Sequence, residues 1–560
     1  MISRSRYAIL ILILAVTVVL ISWLNEYFLP TQAVYPSFPA ANQKVLLVPL
    51  DSRPPCTQFV VSLSRIAGIE IILPPSHLID NYDRPGNQSA LRQWVADNFR
   101  QVDAVILSSD MLIHGGLLAS RNSHGTQEDV RATLLLLSNI HEERPNVPLY
   151  VFSIIPRLLL ADSIAGSPWQ KPLMDYSIVK HQASIFDNPR DLNKLRQWEN
   201  VIPPEFINRY ITLYDQSINI NKALIDLANR GILTSLTLGQ DDGLSFGLPN
   251  IVKQKLAQYA EKGASNPGRV TITRGTDEVA LTLLGHYVNS INNYKPRIFV
   301  TWSHPSMPTM AMPYMPHSTA RTIEEKVAMI GGKIVNKEDE ADFILFVHTG
   351  NRRNTPLQLS FAAKKIEHYI QQGYQVALVD LTENYFAHET LLPYLIENNI
   401  KLTRLAAYAG WNTTSNSVGT AITQAAIFTG TIQKEAPENH LNLYAAHLTF
   451  LIHRFLDDWY YQKEVQHIIN SNLKGAGADP YHLKNEYDIT NDRINRLLRS
   501  KADIFFRRSL KTHPIIIGPA EYRLDTITFE CKLPWDRTFE ILLEPKITFT
   551  LLSDLDNPKK

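Results

Sequence analysis

Short apolar runs that end abruptly in polar or charged groups recur along most of this chain. Val45-Leu-Leu-Val-Pro-Leu50 runs into Asp51-Ser52-Arg53, Ala104-Val-Ile-Leu107 into Ser108-Ser109-Asp110 and then His114-Gly115-Gly116, and Leu149-Tyr-Val-Phe152 into Ser153 and Pro156-Arg157. Ile232-Leu-Thr-Ser-Leu-Thr-Leu238 stops at Gly239-Gln240-Asp241-Asp242-Gly243, and Val270-Thr-Ile-Thr273 at Arg274-Gly275-Thr276-Asp277-Glu278. Ile298 to Trp302 ends in Ser303-His304, Phe343 to Val347 in His348-Thr349, Val376 to Val379 in Asp380 and Glu383, and Leu405-Ala-Ala407 in Tyr408 and Trp411-Asn412. Runs of this kind, separated by amphipathic stretches, read as buried parallel strands alternating with helices. They predict an α/β catalytic or binding domain over residues 43–430.

Strands that all terminate in functional groups suggest one shared face where a site is assembled. A (β/α)8-barrel-like domain with long loops is therefore favoured over an open doubly wound sheet, which concentrates its ligand groups at one or two crevices. Ile69 to Leu73 and Lys333 to Val335 also have strand character and would spoil a count of eight. From about 437 the texture changes to helical stretches, Leu441 to Asn472 and Asp488 to Leu510. Two alternating segments follow, Tyr522 to Glu530 and Thr538 to Leu543, with Leu533-Pro-Trp-Asp536 between them as a turn. Residues 431–560 thus form a helical and small β accessory region.

The N-terminus has a different character. Arg4 and Arg6 precede an uncharged apolar run from Tyr7 to Leu24, about the length that crosses a bilayer as a helix. Residues 1–30 are expected to be a membrane anchor or signal and 31–42 a linker. The positive flank predicts a single-pass protein of the cytoplasmic membrane with its main domain outside the cytoplasm. Cleavage and secretion is the alternative, although the small-residue match Thr31-Gln32-Ala33 lies well beyond the apolar run.

Composition narrows the function classes. The 560 residues carry 55 basic and 54 acidic side chains, a net charge of +1, with no basic tail, so nucleic-acid binding is not expected. Cys56 and Cys531 either pair or stay separate thiols, and no thiolate zinc motif exists. Gly-x-Gly-x-x-Gly, P-loop, Gly-x-Ser-x-Gly and His-Glu-x-x-His motifs are missing, so no cofactor and no resident metal is expected.

Several motifs taken together resemble a known family. They are Val48-Pro-Leu-Asp-Ser-Arg-Pro54, Ser109 to Arg121, Leu238-Gly-Gln-Asp-Asp242, Thr276-Asp-Glu-Val-Ala280, Phe346-Val-His-Thr349, Ala407 to Thr413 and Leu533-Pro-Trp-Asp-Arg-Thr-Phe539. Over about residues 44 to 543 the chain is similar to the bacterial domain of unknown function 4127 (DUF4127) family. The resemblance implies that the strand-end motifs belong together, and it supplies no reaction.

The residues themselves point to a hydrolase, specifically a glycoside hydrolase acting on an acetamido-sugar-containing or anionic envelope glycan. Asp241 and Asp242 follow the fourth long strand candidate, where several barrel glycosidases carry an acidic pair, a likeness by analogy only. One acid orients the acetamido group that attacks the anomeric carbon and the other protonates the leaving oxygen, which requires their pKa values to be split. Asp241 is assigned as orienter and Asp242 as general acid/base. Candidate binding residues are Asp51, Arg53, Asp110, His114, Arg121 and Arg157, with Gln240, Asp277, Glu278, His348, Tyr408, Trp411 and Asn412. Two or more converging unpaired arginines would mark an anionic ligand. A metal-dependent hydrolase using Asp51, Asp110, His114, His304 and His348 is the runner-up. A non-catalytic receptor for envelope glycans is the third possibility.

Overall fold

The computed structural model describes residues 33–159, 168–263 and 268–554. Strands β1 (Ala33–Val34), β2 (Gln43–Val48), β3 (Ile69–Ile72), β4 (Ala104–Ser108), β5 (Leu149–Ile155), β6 (Ser235–Gln240) and β7 (Val270–Arg274) come first. They are followed by β8 (Arg297–Trp302), β9 (Lys333–Val335), β10 (Phe343–Gly350), β11 (Val376–Thr382) and β12 (Leu405–Ala409), and finally by β13 (Ile515–Ile517), β14 (Ala520–Lys532) and β15 (Leu542–Asp554).

The fold is mixed α/β, and the barrel expected from the strand count is corrected: the strands form two separate parallel sheets. One has six strands in the order β3-β2-β4-β5-β6-β7, the other five in the order β12-β11-β10-β8-β9. The two segments that spoiled a count of eight explain the difference. Ile69–Ile72 and Lys333–Val335 each pair beside the first strand of a sheet, so each sheet starts with the same reversal of direction and neither needs to close. Both sheets therefore have a switch point at which strand order reverses, between β2 and β4 and between β8 and β10.

Alternation along the strands explains the layering. Val45 and Leu47 point into one apolar cluster and Leu46 and Val48 into another, so the six-stranded sheet is buried on both faces. The cluster of Val45 and Leu47 also contains Phe343, Leu345 and Val347 of β10, with residues of the helices Val279–Ile291 and Thr414–Ile432. These two helices thus fill the layer between the sheets. On the far side of the five-stranded sheet, Ile344 and Phe346 pack with Phe455, Leu456 and Tyr461 of the C-terminal helices and with Leu524 and Phe549 of the β14–β15 hairpin. Cys56 and Cys531 are both buried free thiols.

The membrane reading is also corrected. Among the described residues no helix is long and apolar enough to cross a membrane, and the stretch Tyr7 to Leu24 lies outside them. Even the almost wholly buried helix Thr414–Ile432 is threaded with Ser, Thr, Asn and Gln, because its environment is a protein core rather than lipid. The single-pass anchor and the tethered location are therefore withdrawn.

Candidate active site

Five strands of the six-stranded sheet end around one cavity of ≈ 1060 Å³. Arg53 follows β2, Arg121 lies beyond β4, Arg157 follows β5, Asp241 and Asp242 follow β6, and Asp277 follows β7; all six line the cavity. Asn412, beyond β12, reaches it from the other sheet. Parallel strands deliver these groups to one edge because every carboxyl end points the same way. The turn Gly115-Gly116 lets the walls meet: a Cβ on Gly115 would lie 2.9 Å from the backbone of Gly86, and one on Gly116 3.0 Å from Asp80 Oδ2, and both have positive φ.

Acid and base are matched in pairs here. Arg53 Nη2 lies 2.6 Å from Asp51 Oδ2 and 2.7 Å from Asp277 Oδ1, joining the ends of β2 and β7. Arg121 Nε donates to Asp241 Oδ2 at 2.9 Å and its Nη2 stands 2.8 Å from the same oxygen, while Asp241 Oδ1 accepts the Asp242 amide at 2.9 Å. Burial alone would raise Asp241, but Arg121 and Arg157 outweigh it and hold the carboxyl below the usual range. Asp242 is half-buried at the cavity wall. Burial and the Asp241 charge push it up to about 7 against the opposing pull of the same arginines. Burial likewise raises Asp277, with Arg53 opposing. Two adjacent acids thus hold different protonation states near neutrality.

Other expected residues have other duties. Asp110 and His114 line a separate pocket of ≈ 20 Å³, room for about one water. There Asp110 Oδ2 accepts the Ile154 amide at 2.9 Å, and burial pushes its carboxyl up to about 7. His114 Nδ1 accepts the Gly125 amide at 2.9 Å, and burial takes its ring down to about 4. Gln240 bonds Asn250 Oδ1 at 2.8 Å. Glu278 pairs with the buried Lys326 at 2.6 Å, behind the cavity. His348 is held between Ser303 Oγ at 2.7 Å and the Glu389 carbonyl at 2.8 Å, Tyr408 donates to Asp380, and Trp411 packs edge-on against Phe59 and Phe539.

The residues of the metal reading are therefore scattered among different sites. Asp51, Cys56 and Asp277 do bring one ligand atom each within 4.8 Å of one another. They do not suit a cation: Arg53 donates to Asp51 Oδ2 and to both oxygens of Asp277, placing a guanidinium where the metal would sit. Nor do Arg53 and Arg121 offer free guanidinium groups to an anion in this cavity, since each is paired with an acid.

Several cavity residues were missed in the sequence. Asp80, 3% exposed, accepts the Ser52 amide at 2.7 Å, and burial beside Asp51 raises its carboxyl well above normal. Its signal in the sequence is the strand Ile69–Ile72, whose carboxyl end leads toward it. From the C-terminal region come Tyr481, His482, Trp535 and Arg537, which face Tyr82 and build an aromatic wall. Arg537 sits 5.1 Å over the Tyr82 ring and 4.7 Å over Trp535, fixed by two bonds to Glu540. Trp535 Nε1 donates to Ser52 Oγ at 2.9 Å, fastening this wall to the end of β2. The alternation from Thr538 predicts a strand, but the segment before Leu542 is a loop continuous with the one that carries this wall.

The family model described as "Protein of unknown function (DUF4127)" matches residues 45–544, and the chain belongs to that family. No curated protein and no solved structure matches it.

Proposed function

We propose that this protein is a hydrolase of glycosidic bonds in acetamido-sugar-containing glycans, with Asp242 as general acid/base. The observation that carries the reading is the half-buried Asp242 at a cavity of ≈ 1060 Å³, beside an Asp241 already tied to Arg121 and opposite an aromatic wall. A cavity of that size accommodates a few sugar units, and aromatic faces of Tyr82, Tyr481 and Trp535 suit the apolar faces of pyranose rings.

In this mechanism the acetamido oxygen of the substrate attacks the anomeric carbon while Asp242 gives its proton to the departing glycosidic oxygen. Water then attacks the same carbon and displaces the acetamido oxygen, restoring the acetamide, while the Asp242 carboxylate takes a proton from that water. Asp241, ionised throughout, stabilises the positive charge that develops and keeps the Asp242 proton in place. Its bonds to Arg121 and to the Asp242 amide make it a fixed electrostatic support more than a ligand for the acetamido group. Arg53, Arg121 and Arg537 of the cavity are each paired with an acid, which favours a neutral glycan over an anionic one. The analogy to barrel glycosidases no longer contributes, because the acids follow β6 of an open sheet.

The test is mass-spectrometric product analysis of the protein incubated with chitin oligosaccharides and peptidoglycan glycan strands, beside Asp242→Asn and with and without chelator. The expected result is release of shorter oligosaccharides that survives chelation and disappears in the variant. The rate should fall as pH rises through about 7, where Asp242 loses its proton. Chelator-sensitive products, or products undiminished in the variant, would overturn the assignment.

A further inference from the structure

A second depression opens on the far side of β7, which is an edge strand of the six-stranded sheet. It measures ≈ 550 Å³ and runs between the helices Leu248–Gly263 and Thr319–Met329. Its floor is apolar and small, made by Ala257, Ala260, Val270 and Ile272. Its polar groups are Lys253, Arg274, His317, Arg321, Glu325 and Glu261.

Their pairing leaves Lys253 without a direct partner, since Arg321 Nη1 donates to Glu324 Oε2 at 2.9 Å. Glu325 is shared: it contacts the guanidinium of Arg274, accepts the Arg274 amide at 3.3 Å and stands 3.7 Å from Arg321 Nε. Arg274 is 3% exposed, yet its Nε is buried with no hydrogen-bond partner. Lys253 is half-buried and makes no hydrogen bond or ion pair among the described residues. Burial and the nearby Arg274 charge push Lys253 down to about 8 against the pull of Glu325, and burial followed by Arg274 and Lys253 takes His317 down to about 4. A half-buried ammonium with no carboxylate in direct contact is costly, and an anion bound against it lowers that cost.

We propose that this groove binds a small organic anion, its carboxylate or phosphate head held by Lys253 beside the unpartnered Nε of Arg274 and its short apolar body lying on Ala257, Ala260, Val270 and Ile272. The site is independent of the glycosidase reading, since it shares no lining residue with the cavity. It adjoins that cavity through the chain itself: Arg274 ends β7 in the groove, and Asp277, three residues on, lines the cavity with Arg53.

Calorimetric titration of the full chain with phenyl phosphate, benzoate and benzyl alcohol tests the proposal, using Lys253→Met and Lys253→Arg as variants. Saturable binding of phenyl phosphate or benzoate is expected, with no saturable heat from benzyl alcohol, and whichever anion binds identifies the head group. Lys253→Met should weaken binding about tenfold, the loss of one charge-assisted contact, and Lys253→Arg should restore most of it. The proposal fails if neither anion saturates, if benzyl alcohol binds as tightly as the anions, or if Lys253→Met leaves anion affinity unchanged.

Discussion

At the carboxyl ends of the six-stranded sheet, Arg53, Arg121, Asp242 and Asp277 open onto a cavity, whereas at the same ends of the five-stranded sheet the equivalent groups are sealed. There His348 is clamped by Ser303 and Glu389, and Asp380 accepts the amides of Leu391 at 2.9 Å and Leu392 at 3.2 Å. Asp458 accepts the Gly410 amide at 2.8 Å and pairs with the fully buried Arg454 at 2.5 Å, while Lys463 donates to Thr382 at 3.1 Å. The two sheets start with the same strand reversal, so topology does not account for the difference. What differs is the cover. The helical segment Phe455–Val465 lies over the second sheet and supplies partners for its strand ends, while the first sheet's ends face a cavity rimmed by Tyr314, Asn412 and the loops around Tyr481 and Trp535. A polar group at a strand end becomes available for chemistry only where nothing later in the chain satisfies it.

The largest effect that would sharpen this contrast is expected at Arg454, which holds Asp457 at 2.8 Å and Asp458 at 2.5 Å and stacks 3.7 Å from the Phe59 ring centroid. Arg454→Met strands two buried acids and should cost about 3–5 kcal/mol of stability, measured by urea unfolding. If the sealed sheet end is purely structural, any remaining folded protein keeps its turnover. On the open side the balance reverses: Asp242→Asn should lower kcat by about two to three orders of magnitude without a comparable loss of stability. Equal loss of stability in the two variants would erase the distinction between the ends.

Much of this arrangement was visible in the chain, and the failures have a common cause. Strand ends could be read from abrupt apolar-to-polar boundaries, so Arg53, Arg121, Arg157, Asp241, Asp242, Asp277 and Asn412 were found, and all of them line the cavity. His348 and Tyr408 carried the same local signature and are consumed by Ser303, Glu389 and Asp380, residues remote in sequence from one or both. Local pattern reports where a strand stops, not what later folds across it. Trp535 and Tyr481 were missed for the complementary reason, since their role exists only once residues hundreds of positions apart come together. Tyr481 permits a gentler test because it is 55% exposed at the cavity rim. Tyr481→Ala should raise KM about tenfold, near 1.4 kcal/mol, with stability and kcat little changed. An unchanged KM would mean that the aromatic wall contributes only structure.

The smallest expected effect discriminates most sharply between an available acid and a satisfied one. Asp242 is pushed up to about 7 in the folded chain from its unfolded value of 3.8. Between those values the unfolded chain has lost the proton and the folded chain keeps it, so folded protein binds more protons and stability falls as pH rises. Above about 7 both states are ionised and the full penalty remains. Asp242→Asn removes it, and the variant should therefore match the wild type at pH 4 and exceed it at pH 8. The full shift would correspond to about 4 kcal/mol, but a half-buried carboxyl in a wet cavity is screened, and a gain of roughly 1 kcal/mol is expected. Urea unfolding at the two pH values measures it. A variant that is more stable at pH 8 and inactive would identify Asp242 as a group held at a cost to the fold because the chemistry needs its proton. A variant less stable at pH 8 would instead put Asp242 with Asp241, as an acid whose arginine partners depend on its charge.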